Sequence, residues 1–89
     1  MILAVKRNKG DYVVAILDKL EHDPLLTPID RQFFINHQNN QGNTAIHEAV
    51  LKNLQTITQK LEMAGKNLGI DLTVRNKKGL TIEQIKANN

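Results

Sequence analysis

Thr44 and His47 have the clearest capacity for chemistry, and they stand where the run QGNTAIHEAV turns from polar to apolar. The His-Glu pair in this run could begin the zinc-protease pattern His-Glu-x-x-His, whose two imidazoles bind one metal ion from the same helix face. Leu51 occupies the position where the second histidine is required, so the sequence excludes a zinc protease of this type. The other histidines, His22 and His37, are not at ligand spacing and the chain has no cysteine, so we predict no metal site.

Covalent catalysis lacks its common nucleophiles, because the 89 residues include neither serine nor cysteine. The glycines form no phosphate-cradling loop. Three acids, Asp18, Glu21 and Asp23, cluster at one predicted helix end, where such a group is usually a solvated face. We therefore predict a protein that is not an enzyme and needs no cofactor.

The composition is that of one small soluble domain, with 40% hydrophobic and 24% charged residues. The opening MILAV meets Lys6 and Arg7 too soon for the core of a signal peptide, and no apolar run approaches the length of a membrane span. We expect an intracellular, cytoplasmic protein that contacts no membrane, and export by a bacterial secretion system stays open. The net charge of +3 permits nucleic-acid or acidic-protein binding.

Apolar residues at helical spacing predict an all-α fold in the order helix, helix, insert, turn, helix, helix, turn, helix. The clearest amphipathic stripe consists of Val13, Ile16, Leu17 and Leu20. Thr44 begins a helix that should bury Ile46, Ala49 and Val50. The helix marked by Leu54, Ile57 and Leu61 should end at Ala64-Gly65, since glycine suits the left-handed position after a helix.

The insert begins with Thr27-Pro28, which has the signature of a helix start. Ile29, Phe33 and Phe34 should share one face of this helix. We expect Ile29 and one phenylalanine to pack over the helices of the first segment. The alternative is an exposed aromatic pair that anchors another protein or a second copy of this one.

Two internal matches indicate a repeat. Asn-x-x-Gly-x-Thr occurs from Asn39 and again from Asn76, with glycines 37 residues apart. LAVKRN at 3–8 matches EAVLKN at 48–53, a separation of 45. These spacings exceed a repeat period of roughly 33 residues. The excess corresponds to KNLG in the first case and to the segment from Pro24 to Phe34 in the second.

GNTAIHEAV resembles the Gly-x-Thr-Pro-Leu-His-x-Ala-Ala opening of ankyrin repeats, LEMAG resembles the end of their second helix, and GIDLTVRNKKGLT resembles their connecting hairpin. The resemblance implies an ankyrin-type solenoid of antiparallel helix pairs joined by hairpin-like turns, with an extra short helix inserted after the first pair. It divides the single domain 1–89 into a partial first repeat (1–23), an insert (24–34), a central repeat (35–69) and a C-terminal partial or capping repeat (70–89).

In that family the threonine caps the first helix, and its hydroxyl and the histidine ring hydrogen-bond one another and nearby backbone. The resemblance therefore assigns structural rather than chemical roles to Gly42, Thr44, His47, Ala49, Gly79 and Thr81. The sequence departs from the family pattern in two places. Ala45 replaces a proline, and Glu83-Gln84 replace Leu-His, as a polar terminal cap would.

The family binds partner proteins through the hairpin tips and the concave face of the first helices. Carried onto this sequence, that surface comprises Lys6, Arg7, Asn40, Gln41, Asn43, Leu51, Lys52, Lys77, Lys78 and Leu80, with Arg75 nearby. These ten positions hold five of the twelve cationic residues and none of the nine acids. We therefore predict a protein-protein interaction module with an acidic partner surface. The alternative is that the lysines and asparagines only solvate exposed turns.

Two other functions stay open. A small basic helical nucleic-acid-binding domain fits the charge, although no helix carries a dense basic face with base-reading side chains. The abrupt start within a repeat also suggests a fragment of a larger ankyrin-repeat protein that self-associates. We expect a monomer or weak self-association.

Overall fold

The computed structural model describes residues 1–87, and all regular secondary structure in that range is helical. The helices are α1 (Ile2–Lys6), α2 (Gly10–His22), α3 (Pro28–Ile35), α4 (Ala45–Leu51), α5 (Gln55–Leu68) and α6 (Ile82–Ala87). The all-α prediction is confirmed, and the last two residues of the predicted segment 70–89 lie outside the described residues. Among residues 1–87, no helix combines the length and apolarity needed to cross a membrane.

The helices pack as two similar pairs, α1 with α2 and α4 with α5. Helix α4 contacts α1 and α6, and α2 contacts α5. The link within each pair has the same backbone structure. Asn8 and Asn53 have φ angles of 55° and 57°, and the following backbone N–H donates at 2.9 Å to the carbonyl of Ala4 or Ala49. The match between 3–8 and 48–53 is therefore structural as well as sequential.

The core consists of aliphatic side chains at helical spacing. Helix α2 contributes Val13, Leu17 and Leu20, and α5 contributes Ile57, Leu61 and Leu68. Every residue of α4 from Ala45 to Val50 is buried, because this helix has neighbours on several sides. Each large aliphatic side chain contributes about 1.5–3 kcal/mol when it leaves water, so the buried residues of α2, α4 and α5 together stabilise the domain.

The prediction that the fifth helix ends at Ala64-Gly65 is wrong. Helix α5 continues to Leu68, and Gly69 takes the left-handed conformation with φ 75°. KNLG (66–69) therefore adds about one turn of helix. Leu68 is only 1% exposed, so its burial anchors the added turn. Gly65 therefore lies within the helix. Glycine is needed at this position because a Cβ there would lie 2.8 Å from Ile70 Cγ2.

Helix α3 confirms the predicted insert helix, but its packing differs from the expectation. Ile29 is 76% exposed, Phe33 74% and Phe34 49%, so the prediction that Ile29 and one phenylalanine pack over the first helices is wrong. Ile35 is the buried residue of α3. Arg31 lies four positions before it and therefore shares its face of the helix.

Arg31 explains this orientation. Its guanidinium donates from Nε to the carbonyl of Leu20 at 2.8 Å and from Nη2 to the carbonyl of Asp23 at 3.1 Å. Both acceptors are at the C-terminal end of α2, where carbonyl groups lack helical partners. Satisfying them turns Arg31 inward and leaves the aromatic side of α3 in solvent.

Candidate functional site

The start of α4 is built around Thr44 and His47, which are 1% and 0% exposed. The Thr44 N–H donates to His47 Nδ1 at 3.2 Å, and the Thr44 hydroxyl oxygen accepts from the His47 N–H at 3.4 Å. Because an amide can only donate, Nδ1 is the acceptor, and the neutral ring carries its hydrogen on Nε2. Nε2 donates to the carbonyl of Leu80 at 3.1 Å. Both side chains therefore have internal partners.

The start of α6 repeats this cap with a different side chain. The Thr81 N–H donates to Gln84 Oε1 at 2.9 Å, and the Gln84 N–H donates to the Thr81 hydroxyl at 3.3 Å. An amide oxygen thus takes the place of the imidazole nitrogen. Gln84 therefore caps α6 in the way that His47 caps α4.

The two Asn-x-x-Gly segments form the same turn. In each, the asparagine side-chain oxygen accepts the backbone N–H groups two and four residues later, all at 3.0 Å. Gly42 and Gly79 have φ angles of 75° and 77°. A shared set of hydrogen bonds therefore holds the tips of 39–43 and 76–80 in one conformation.

These turns lie against each other. The Lys77 N–H donates to the carbonyl of Gln41 at 3.0 Å, and Asn76 Nδ2 donates to Asn43 Oδ1 at 3.0 Å. The approach is so close that a Cβ on Gly42 would lie 2.7 Å from the Lys77 nitrogen. Glycine at this position is required by packing as well as by its backbone angle.

Between the turns and α4 lies a hollow of about 390 Å³, which we call the tip hollow. Its lining consists of Asn40, Gln41, Asn43, Glu48, Leu51, Asn76, Lys77, Lys78 and Leu80. Seven of the eleven predicted binding residues are in this lining, and Lys6, Arg7, Lys52 and Arg75 are outside it. Arg75 instead braces its own turn by donating from Nη1 to the carbonyl of Gly79 at 2.8 Å.

Asn43 departs from the expectation of a surface position, since it is only 6% exposed. Its Nδ2 donates to Glu48 Oε2 at 3.2 Å while its Oδ1 accepts from Asn76. Asn43 therefore belongs to the framework that joins the two turns, and it is not available as a recognition side chain.

Glu48 is a lining residue that the sequence analysis did not assign to the site. It is 4% exposed, and its Oε2 accepts from the side-chain amides of Asn39 and Asn43, both at 3.2 Å. Within residues 1–87, no ion pair includes this carboxylate. The available signal was an acid next to Ala49 and Val50, which were predicted to be buried, because a buried charge needs polar partners.

A second hollow of about 570 Å³ lies between α1 and α3, and we call it the apolar hollow. Its apolar lining comprises Met1, Ile2, Leu3, Phe33, Phe34 and Ala45, and Lys6, His37 and Asn39 complete it. Phe33 and Phe34 thus lie beside the first segment, as the sequence predicts for one of them, but they flank an open hollow instead of covering the core. That neighbourhood depends on how Arg31 orients α3.

Among the described residues, no group of three histidine or acidic side chains could hold a metal ion. Comparison of the chain with protein-family models, with curated proteins and with solved structures finds no match. The arrangement of the two hollows is therefore the basis for assigning a function.

Proposed function

We propose that this chain is an ankyrin-type repeat domain that binds another protein through the tip hollow and the basic residues around it, without catalysis. The observation that carries the proposal is the tip hollow itself. Two turns of identical hydrogen bonding, distant in sequence, bring Asn40, Gln41, Lys77 and Lys78 to the edge of one concave surface. All four residues are exposed.

The difference in burial between neighbouring residues of the first turn supports a binding role for the exposed ones. Gly42, Asn43 and Thr44 are buried and hold the first turn, while Asn40 and Gln41 beside them are exposed. Exposed loop residues on a rigid scaffold are typical of binding sites. Since their side chains are not needed to form the turn, they are free to contact a partner.

The charge of this surface favours an acidic partner. Lys77 and Lys78 are exposed, and in the part of the chain that the structure describes neither forms an ion pair. The one acid in the lining is Glu48, whose exposed fraction is 4% and which already accepts two amide hydrogen bonds. Unpaired surface cations steer oppositely charged partners and raise the rate of association.

The ankyrin-type assignment is supported by the matching helix pairs, the repeated turn and the Thr44–His47 cap. The paired units α1–α2 and α4–α5 have the same link, and α6 begins with the cap of a third unit. A stack of this kind presents its turns in a row. A partner would therefore lie across the turns, where the tip hollow is found.

A charge-reversal experiment tests the proposal. Lys52, Lys77 and Lys78 are replaced together by glutamate, and the matched control replaces Lys19, Lys60 and Lys66, which are exposed on α2 and α5. Proteins retained from a cell extract by the wild type and the control, but lost by the first variant, are purified and titrated. We expect the affinity to fall about tenfold or more, with a weaker dependence on salt.

Equal affinity and equal salt dependence for the two variants would refute the proposal. A salt-sensitive mobility shift with duplex DNA or RNA, abolished by the same three substitutions, would support the nucleic-acid alternative instead.

A further inference from the structure

The apolar hollow between α1 and α3 is a second contact surface beside the tip hollow. We propose that it receives a bulky apolar side chain from an acidic, amphipathic segment of the partner protein, with a neighbouring carboxylate of that segment paired to Lys6. This inference rests on the proposed function, and it specifies the chemistry of the partner.

The size and exposure of the hollow suit such an anchor. Leu3 is 59% exposed, Phe33 74% and Phe34 49%, so the hollow is flanked by large apolar side chains in contact with water. Its volume of about 570 Å³ is in the range of pockets that bind organic groups. Aromatic side chains gathered in one concave patch are characteristic of protein interaction sites.

The walls of the hollow are held in place before any partner arrives. Arg31 ties α3 to the end of α2, and Asn36 ties the other end of α3 to the loop after α5. Asn36 Nδ2 donates to the carbonyl of Gly69 at 3.1 Å, and its Oδ1 accepts from the Asp71 N–H at 2.8 Å. Val5 fixes α1, since it is 0% exposed. Little ordering is then required on binding, which favours affinity.

The charges select an acidic partner over a second copy of the chain. Lys6 lines the hollow, exposed Arg7 follows it, and no aspartate or glutamate is in the lining. Asp30, on α3, accepts the Thr27 N–H at 3.0 Å as a helix cap. A twofold dimer formed through this patch would place like cations near each other, because both copies use the same surface.

The two hollows are lined by consecutive residues of the chain at one turn. Asn39 lines the apolar hollow, while Asn40 and Gln41, the next residues, line the tip hollow. They therefore flank the same turn. The proposed partner segment would therefore cross this turn, with its apolar side chain on one side and its acidic residues on the other.

A random-peptide display library, selected on the intact chain, tests the inference. We expect selected peptides to combine Leu, Met or Phe with Asp or Glu. Leu3→Ala and Phe33→Ala should each weaken the peptides about tenfold, and Lys6→Gln should reduce the salt dependence of binding. Met63→Ala is the matched control, because Met63 is 72% exposed on α5 and outside the hollow. Circular dichroism verifies that each variant keeps its helices.

The outcomes separate the inference from the proposed function. Peptides that resist Leu3→Ala and Phe33→Ala but are lost with Lys77→Glu and Lys78→Glu would overturn the inference and leave the proposed function standing. Peptides that depend on neither set, or a library that yields none, would overturn both. Peptides rich in lysine and arginine, or a dimer in sedimentation that Phe33→Ala abolishes, would overturn the acidic occupant.

Discussion

His47 Nε2 lies 3.1 Å from the carbonyl oxygen of Leu80, a residue 33 positions further along the chain. The same imidazole accepts the Thr44 N–H through Nδ1. One ring thus caps its own helix and fastens that helix to the second turn. Because His47 is 0% exposed, water cannot replace either bond.

Replacing His47 by alanine should therefore destabilise the domain strongly. The variant loses the bond to Leu80, leaves the Thr44 N–H without its acceptor and opens a cavity. We expect the free energy of unfolding to fall by about 2–4 kcal/mol, measured by urea denaturation. The control is His37→Ala, because His37 is exposed and its substitution should change little. A loss below about 1 kcal/mol for His47→Ala would contradict the scaffold role.

Gly42 and Gly79 form a matched pair, since their φ angles are 75° and 77°. Gly79→Ala meets no atom within 4 Å, so only backbone strain of about 1–2 kcal/mol is expected. Gly42→Ala places a Cβ 2.7 Å from the Lys77 nitrogen and must also separate the two turns. We expect it to lose about 3 kcal/mol or more in thermal or urea unfolding. Equal losses for the two variants would mean that the turns do not touch.

Glu48 should stabilise the turns through its oxygen acceptor rather than through a salt bridge. Glu48→Leu leaves the amides of Asn39 and Asn43 without their acceptor and should lower the free energy of unfolding by about 2 kcal/mol. Glu48→Gln keeps an oxygen in place and should stay within about 1 kcal/mol of the wild type. Glu83→Leu, at an exposed site on α6, controls for the change of polarity. If the glutamine and leucine variants were equally unstable, the charge itself would be the stabilising element.

Asp30 should make the stability of the domain depend on pH, and a single substitution can isolate its contribution. The backbone N–H of Thr27, together with its hydroxyl and with Arg31, lowers the pKa of the Asp30 carboxyl below its ordinary value of 3.8. Its stabilising contribution is complete above pH 3.8 and is lost as the pH falls through the lowered folded-state pKa. The gap in unfolding free energy between the wild type and Asp30→Asn should therefore narrow from neutral pH to about pH 2. A gap that is the same at both pH values would contradict this origin.

The sequence was sufficient for features that depend on neighbouring residues. The capping of α3 by Thr27 and Asp30, the turn between Asn39 and Asn43, and the cap at Thr44 each involve residues no more than four positions apart. A short motif contains all the partners of such a structure. Because the turn is such a local structure, its resemblance to the turns of ankyrin repeats was sufficient to predict most of the residues that line the tip hollow.

Features that depend on distant partners were not predictable. The exposure of Phe33 follows from Arg31, whose guanidinium reaches carbonyls of Leu20 and Asp23 that no local pattern marks as available. The length of α5 was misjudged because Gly65 matches a helix stop, and only its packing on Ile70 shows why glycine is needed inside the helix. The burial of Asn43 depends on its hydrogen bond with Asn76, which is 33 residues away, so the pattern around Asn43 does not indicate it.

The last turn of α5 and the helix α3 lie next to each other and are joined by hydrogen bonds. Asn36, just after α3, holds Gly69 and Asp71, just after the added turn, and a Cβ on Gly69 would lie 2.3 Å from Gln32 Cγ. The end of α3 and the end of α5 thus contact each other directly. Removing the added turn of α5 while retaining α3 would displace both hydrogen-bond partners of the Asn36 side chain, so a transfer of α3 to another helical domain should include the end of α5.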